Sequence, residues 1–293
     1  MPARDTLRKS ARLGLLAALS LGLPLCAGPA WAGGTGGAAE APARRAAVGA
    51  GLGIGVGVEQ SRVVGTPTLT AAEQRSTAAK DAAVAKALGR VGSRSRMAAA
   101  KDDDDPVELP SHKSIKSIKQ KKQDRTYWCG PATLATLVQA SGVKISETTA
   151  AKRLKTTRNG TNWYSGSGSY PMERALEHYS KDFDYTPANL PYTPSSSDKK
   201  KFKERLVTDI AVHEQGIAGN AVEVRNGPHL NGHPNRTIYH WVAVRGYEDD
   251  GETTRYADPV AGSSISWAGP VDRYNDIDTD KIVTIFGARG YIW

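Results

Sequence analysis

The chain predicts an α+β domain, with a helical N-terminal half packed on an antiparallel β-sheet C-terminal half. Three observations carry that expectation. Apolar residues recur at helical spacing between 130 and 212. After 217 the apolar residues instead gather into short runs rich in Val, Ile and Tyr, bounded by turn residues. The large side chains that could fill a core are also confined to this part of the chain. Of its 6 Trp, 11 Tyr and 3 Phe, all but Trp31 lie at or after Tyr127.

The elements follow in order. Gly130 to Gln139 reads as a helix, with Pro131 in its first turn, Leu134, Leu137 and Val138 as its apolar stripe, and Gly142 as its stop. Ser146 reads as the N-cap of a short helix ending at Leu154. Pro171 opens a third, with Met172, Leu176 and Tyr179 on one face, and Phe202, Leu206, Ile210 and Val212 mark a fourth that ends near Gly216. Strands are expected at Ala218–Val224, Tyr239–Tyr247, Thr253–Ala257 and Lys281–Gly287. Asp249-Asp250-Gly251 is a tight turn joining the second and third of them. Helices first and strands later give two segregated halves, whose seam forms a cleft.

Upstream of this domain the composition changes. Arg4, Arg8, Lys9 and Arg12 precede the apolar run Leu13–Leu25, and Ala30-Trp31-Ala32 fits a small-x-small cleavage site. Residues 1–32 are therefore expected to be a secretion signal, and the product to be secreted. The run is too short to span a membrane, and no later segment reaches the roughly 20 apolar residues a spanning helix needs. Residues 33–105 are rich in Ala, Gly, Ser and Arg and lack aromatic residues, so they cannot bury enough surface to offset the entropy of ordering. They are expected to be a disordered linker or a removable pro-segment, with a tether to the cell envelope as a third reading. The Ala-rich stretch Thr70–Leu88 could form a helix that is marginal alone. Asp102 to Asp105 mark a solvated hinge, and residues 106–293 supply one domain with a full core.

The net charge is +9. Part of it clusters at Lys113, Lys116, Lys119, Lys121 and Lys122 and again at Lys199 to Lys203, runs that usually form solvated surface. Only Phe202 interleaves an aromatic residue with these runs, which argues against nucleic acid as a partner. Anionic wall polymers outside the cell are the more plausible charged partner.

The cysteine count points to chemistry. Once Cys26 leaves with the signal, Cys129 is a lone thiol, which cannot form an internal disulfide. A buried core cysteine is the plain alternative. A nucleophilic thiol needs its pKa lowered, and both a helix N-terminus and a nearby imidazolium do that. Cys129 sits at the start of the first helix, with Gly130 leaving room for substrate backbone. His240 opens the strand His240–Tyr247 and can serve as base. Asp258, in Tyr256-Ala257-Asp258-Pro259, can return beside His240 and orient its ring, although Asp-Pro is also an ordinary turn. Gln123, within a charged run, can join the Cys129 backbone N–H as an oxyanion donor or can simply lie at the surface.

Gln123, the block Tyr127-Trp128-Cys129-Gly130-Pro131-Ala132, the strand His240–Tyr247 and the block Tyr256–Pro259 together resemble the papain-like cysteine peptidases. The resemblance is closest to the double-glycine leader (bacteriocin-processing) peptidase-like family, in a stand-alone secreted form, and spans most of residues 119–293. It implies a papain-like fold, a peptide or protein substrate, and no cofactor. In it Cys129 is the nucleophile, His240 the base, Asp258 the orienter and Gln123 the oxyanion donor. Family members that process such leaders are commonly fused to membrane transporters, and this chain shows no transporter segment, so leader specificity is not carried over.

Hydrolysis and transfer to an amine both remain open, and so does a non-catalytic peptide- or wall-binding module on the same fold. A wall amidase of another papain-related lineage is disfavoured by Trp128-Cys129-Gly130-Pro131. His229 and His233 lie four apart, but in a loop without nearby Cys or acid, so a metal pair is not expected there. Their segment reads as a cleft rim ahead of the His240 strand, and 158–170 as loops that could floor the cleft.

Overall fold

The computed structural model describes residues 67–97, 109–166 and 168–293, with side chains from 90 to 97 left aside. The expected signal segment, residues 33–66 of the leader and the Asp102–Asp105 run lie outside the described residues. Among the described residues no helix is long and apolar enough to cross a membrane.

Local sequence explains most of the helical half. Helix α1 spans Ala71–Met97, and a two-residue strand β1 covers Lys113–Ser114. Helix α2, Cys129–Leu137, is buried along its whole length and continues as a 3₁₀ turn through Ser141. Gly142 then stops it in the left-handed region, at φ +73°. Helix α3, Glu147–Leu154, begins where the Ser146 hydroxyl accepts from the Thr149 N–H at 3.1 Å. Helix α4, Pro171–Tyr179, carries Pro171 in its first turn, where a missing N–H costs nothing. After strand β2, Pro187–Asn189, Ser195 and Asp198 form a reciprocal capping box on helix α5, Ser196–Thr208. A π-helical turn, Asp209–His213, ends it.

The sheet half comprises β3 (Ile217–Glu223), β4 (Ile238–Glu248), β5 (Thr253–Ala257), β6 (Tyr274–Asp278), helix α6 (Thr279–Ile285) and β7 (Gly290–Ile292). All pairs are antiparallel, in the order β2-β7-β3-β4-β5-β6, with β1 paired to β4 beyond the end of β3. A bulge between Val244 and Gly246 bends β4 beside β1. Gly246 is required there, because a Cβ would lie 2.5 Å from the Lys113 carbonyl oxygen. One large core joins the two halves, from Leu134 and Leu137 on α2 to Trp241 and Val242 on β4 and Phe286 and Trp293 near the C-terminus.

The strand expected at Lys281–Gly287 is instead the helix α6. A short apolar run carries no decisive period, and what settles it here is the Asp278 side chain, which accepts from the Lys281 N–H at 2.7 Å and starts a helix. Phe286 then packs over Gly219, where a Cβ would sit 2.0 Å from the ring. Strands β1, β2, β6 and β7 are short or polar and carry no alternating signal.

Residues 71–97 fall within the expected disordered linker or pro-segment, and the helix they form is not left alone. Val84 is buried and Leu69 and Leu88 pack against the same core, and charged contacts add to the docking. Arg205 on α5 donates from Nε and Nη2 to the two oxygens of Asp81 at 2.9 and 2.8 Å, and from Nη1 to the Tyr291 hydroxyl. Lys80 reaches the Asp184 carbonyl at 2.7 Å and lies 3.7 Å from the buried Asp209 carboxylate. Lys80 and Arg205 both sit over the Trp293 ring. Composition undervalues this segment because partners at 205, 209 and 293 replace the missing apolar side chains. The packed unit therefore includes residues upstream of 106.

Burial raises Asp209 to about 6 despite the charge of Lys80, and burial also lowers Lys80. A raised carboxyl limits stability as the pH climbs through that value, and more so without its partner. Lys80→Met is therefore expected to cost about 3–5 kcal/mol at pH 8, where an ionised Asp209 keeps only the charge of Arg205 as compensation. The cost should be much smaller at pH 5. Urea unfolding at both pH values checks this, and an equal loss at both would contradict it.

Candidate active site

The seam between the halves is held by bonds that also place the functional side chains. Thr133 on α2 donates to the backbone carbonyl of Trp241 at 3.0 Å, one residue from His240. The segment ahead of α2 is stitched to the turn after β5. The Gln123 N–H donates to the Pro259 carbonyl at 2.7 Å, and the Gln120 amide donates to the carbonyls of Asp258 and Ala261, both at 3.0 Å. Residues far apart in the chain, on α2, β4 and the end of β5, are thus locked around one point.

At that point Cys129, the first residue of α2, is buried and is a free cysteine. His240, on β4, donates through Nε2 to Asp258 Oδ1 at 2.8 Å and lines the same cleft as Cys129, which leaves Nδ1 for the thiol. Burial opposes a charged His240, but the Asp258 charge and hydrogen bond, joined by Cys129, outweigh it and raise the imidazole well above its usual 6.5. Burial likewise opposes charge on Asp258. His240 and His233 outweigh it and hold the carboxyl far below the usual carboxylate range. The backbone two residues on adds rigidity, with the Val260 N–H donating to Asp258 Oδ1 at 2.9 Å. An imidazolium bridging a carboxylate and a thiol can stabilise a thiolate and later return a proton.

Gln123 is also brought to the site, buried rather than at the surface. Its Nε2 donates to the Arg125 and Thr126 carbonyls at 2.8 and 3.2 Å, while its Oε1 is buried without a partner. Donation to an oxyanion thus requires the longer bond, to Thr126, to be given up. A narrow cleft runs past Gln123, Cys129 and His240, with Asn159 and Gly160 from the expected floor loop and Trp267 among its walls.

Gly130 has a different use from the one expected. A Cβ there would sit 2.3 Å from Thr161 Oγ1, so the glycine admits Thr161 rather than substrate. Thr161 in turn accepts from the Trp241 indole through its carbonyl at 3.1 Å, linking the floor loop to β4.

One residue of the site was not given a role by the sequence. The two loop histidines part company. His229 bonds the carbonyls of Gly227 and Arg236, whereas His233 turns inward with its side chain covered. It lies 2.7 Å from Glu223 Oε1 and 3.1 Å from Asp258 Oδ2. Gly232 aims the ring, through a contact that the sequence alone does not display. Its φ of +77° and a would-be Cβ 2.4 Å from the Pro270 carbonyl oxygen fix the turn that aims His233 inward. His233, His240 and Asp258 offer donor atoms within 4.8 Å of one another, a spacing a metal could use. Both nitrogens of His233 and Nε2 of His240 already meet carboxylate oxygens, and that hydrogen bonding accounts for the cluster.

Comparison with known proteins places this geometry in context. The Peptidase_C39 like family matches residues 112–278, more than half of the chain. Among solved structures, a protein described as a C39-like peptidase from Bacillus anthracis is 12% identical, with a TM-score of 0.40, covering 62% of this chain and 96% of that one. The peptidase domain of Streptococcus ComA, a bi-functional ABC transporter involved in quorum sensing, is 15% identical, with a TM-score of 0.36 and coverage of 60% and 96%. Xylellain, a cysteine protease from Xylella fastidiosa, is 13% identical, with a TM-score of 0.36 and coverage of 63% and 84%. No curated protein matches the chain.

Gly130→Ala is expected to lose about 1–3 kcal/mol by overpacking against Thr161. Urea unfolding measures it, and a loss below about 0.5 kcal/mol would mean that the floor loop yields and does not brace α2.

Proposed function

The chain belongs to the Peptidase_C39 like family and is a cysteine-type peptidase, and from that premise we propose that Cys129, His240 and Asp258 are its catalytic triad and Gln123 its oxyanion donor. The observation that carries this reading is the buried imidazole of His240, bonded to Asp258 and set beside Cys129 in one cleft.

In the proposed reaction the Cys129 thiolate attacks a peptide carbonyl. The oxyanion is held by the Cys129 backbone N–H and by the Gln123 amide, which releases Thr126 to reach it. His240 passes its proton to the leaving amine, and the acyl group stays on sulfur as a thioester. Water, deprotonated by His240, then releases the acid. An amine in place of water would give transfer, with the same protein groups in the same roles.

We also propose that the enzyme acts outside the cell. Support comes from the basic, apolar and small-x-small succession within residues 1–32. The exposed Lys116, Lys119, Lys121 and Lys122 support attraction to anionic wall polymers. The charge-paired docking of α1 supports retention of residues 67–97 with the domain in the resting protein.

The test is a peptide library incubated with the protein and read by mass spectrometry. Cleavage is expected with the native chain and absent with Cys129→Ala. A thioester adduct on Cys129 should accumulate under acid quench. Gln123→Ala is expected to lower kcat by about 10²-fold with little change in KM. Undiminished cleavage by Cys129→Ala would refute the assignment, and an unchanged kcat in Gln123→Ala would remove Gln123 from the oxyanion site.

A further inference from the structure

The bonding of His233 has a chemical implication that the triad does not require. Carboxylates are acceptors only, and a neutral imidazole has one donor nitrogen and one acceptor nitrogen. Both nitrogens of His233 face carboxylate oxygens, Glu223 Oε1 at 2.7 Å and Asp258 Oδ2 at 3.1 Å, in a place where all three side chains are covered. With both carboxyl groups ionised, a neutral ring would set one lone pair against a carboxylate. A doubly protonated ring satisfies both contacts.

We propose that His233 is a doubly protonated imidazolium that positions Asp258, donating from Nδ1 to Glu223 and from Nε2 to Asp258 Oδ2 so that Oδ1 is presented to His240. It is a positioning residue, acting on the reaction through Asp258. The division of labour is visible at the carboxylate, where Oδ2 is held by His233 while Oδ1 is shared by His240 Nε2 and the Val260 N–H. The ring is itself fixed. Gly232 sets the turn, Asn231 bonds the Tyr256 hydroxyl and the Asp276 carbonyl, and Trp267 lies edge-on at 4.7 Å.

The charge has a consequence at the thiol. The ionisable groups facing His233 are Glu223 from β3, His240 from β4 and Asp258 from the end of β5, with the Tyr256 hydroxyl of β5 beside the two carboxylates. With His233 charged, the two carboxylates and the thiol face two imidazolium ions. With it neutral they would face one. His233 lies 5.2 Å from His240 between ring centroids, so its charge also tempers the pull of Asp258 on His240 and favours return of the proton.

The inference rests on the peptidase reading for its role in catalysis, and its test needs no substrate. ¹⁵N NMR of the histidine rings in the native protein reads the protonation of each nitrogen, with the His233 signals identified by their loss in His233→Gln. Both nitrogens protonated from pH 5 to 8 is the expected result. One bare nitrogen in that range, or a metal ion retained by these residues in the purified protein, would overturn the proposal.

The second arm is the pH profile of Cys129 alkylation by iodoacetamide. In His233→Gln both limbs are expected to move up by about one pH unit, because removing a cation favours the protonated form of every neighbouring group. The rate on the plateau should fall as Asp258 loses its hold. A variant with unmoved limbs and only a lower melting temperature would reduce His233 to a structural residue and overturn the positioning role. If no peptide is ever cleaved but both arms come out as expected, the proposed reaction fails and the assignment of His233 stands.

Discussion

A carboxylate withdrawn from water must be compensated by partners in fixed places, and Asp258 is such a group. It is fully buried, and its charge survives only because two imidazoles and a backbone N–H converge on it. That requirement ties together parts of the fold that would otherwise be independent. His240 must come from β4, His233 from the loop before it, and Val260 from the turn after β5. The residue that completes the chain of contacts, Cys129, comes from the opposite half of the molecule.

The surroundings are built to keep this arrangement from relaxing. The loop following Asp258 has a small core of its own, formed by Val260, Ala261, Ile265, Ala268 and Val271, with Trp267 packed against it. It can therefore hold Trp267 edge-on against the His233 imidazole as a fixed wall. On the other side Gln120 and Gln123 bond the same loop from the segment that leads into α2. The position of the thiol relative to its base is set by several backbone bonds, with Thr133 to Trp241 bracing the helix on the strand. Preorganisation of this kind lets a thiol and an imidazole face each other without rearrangement during reaction.

How much of this was legible depended on whether the deciding interaction was local. Ser146, Pro171 and Gly142 mark their helix ends through bonds made within a few residues, and the sequence displays them. The convergence of Cys129, His240 and Asp258 was also legible, because strand order and one turn suffice to bring 258 back to 240. The segment 281–287 was misread because Asp278, just outside the apolar run, decides it. Helix α1 was undervalued because its partners lie more than a hundred residues away and are charged. His233 looked like one of a loop pair with His229. Only the close approach of Gly232 to Pro270 reveals that it points inward, and that contact is invisible without the fold.

The central proposal is that His240, held charged by Asp258, activates Cys129 as the nucleophile. The most direct measurement is the thiolate ultraviolet absorbance at pH 6, taken as the difference between the native protein and Cys129→Ser. A difference band that disappears when His240 is replaced by Ala is the result the proposed triad predicts. No band at pH 6, or a band indifferent to His240→Ala, would contradict it and leave Cys129 an ordinary buried thiol.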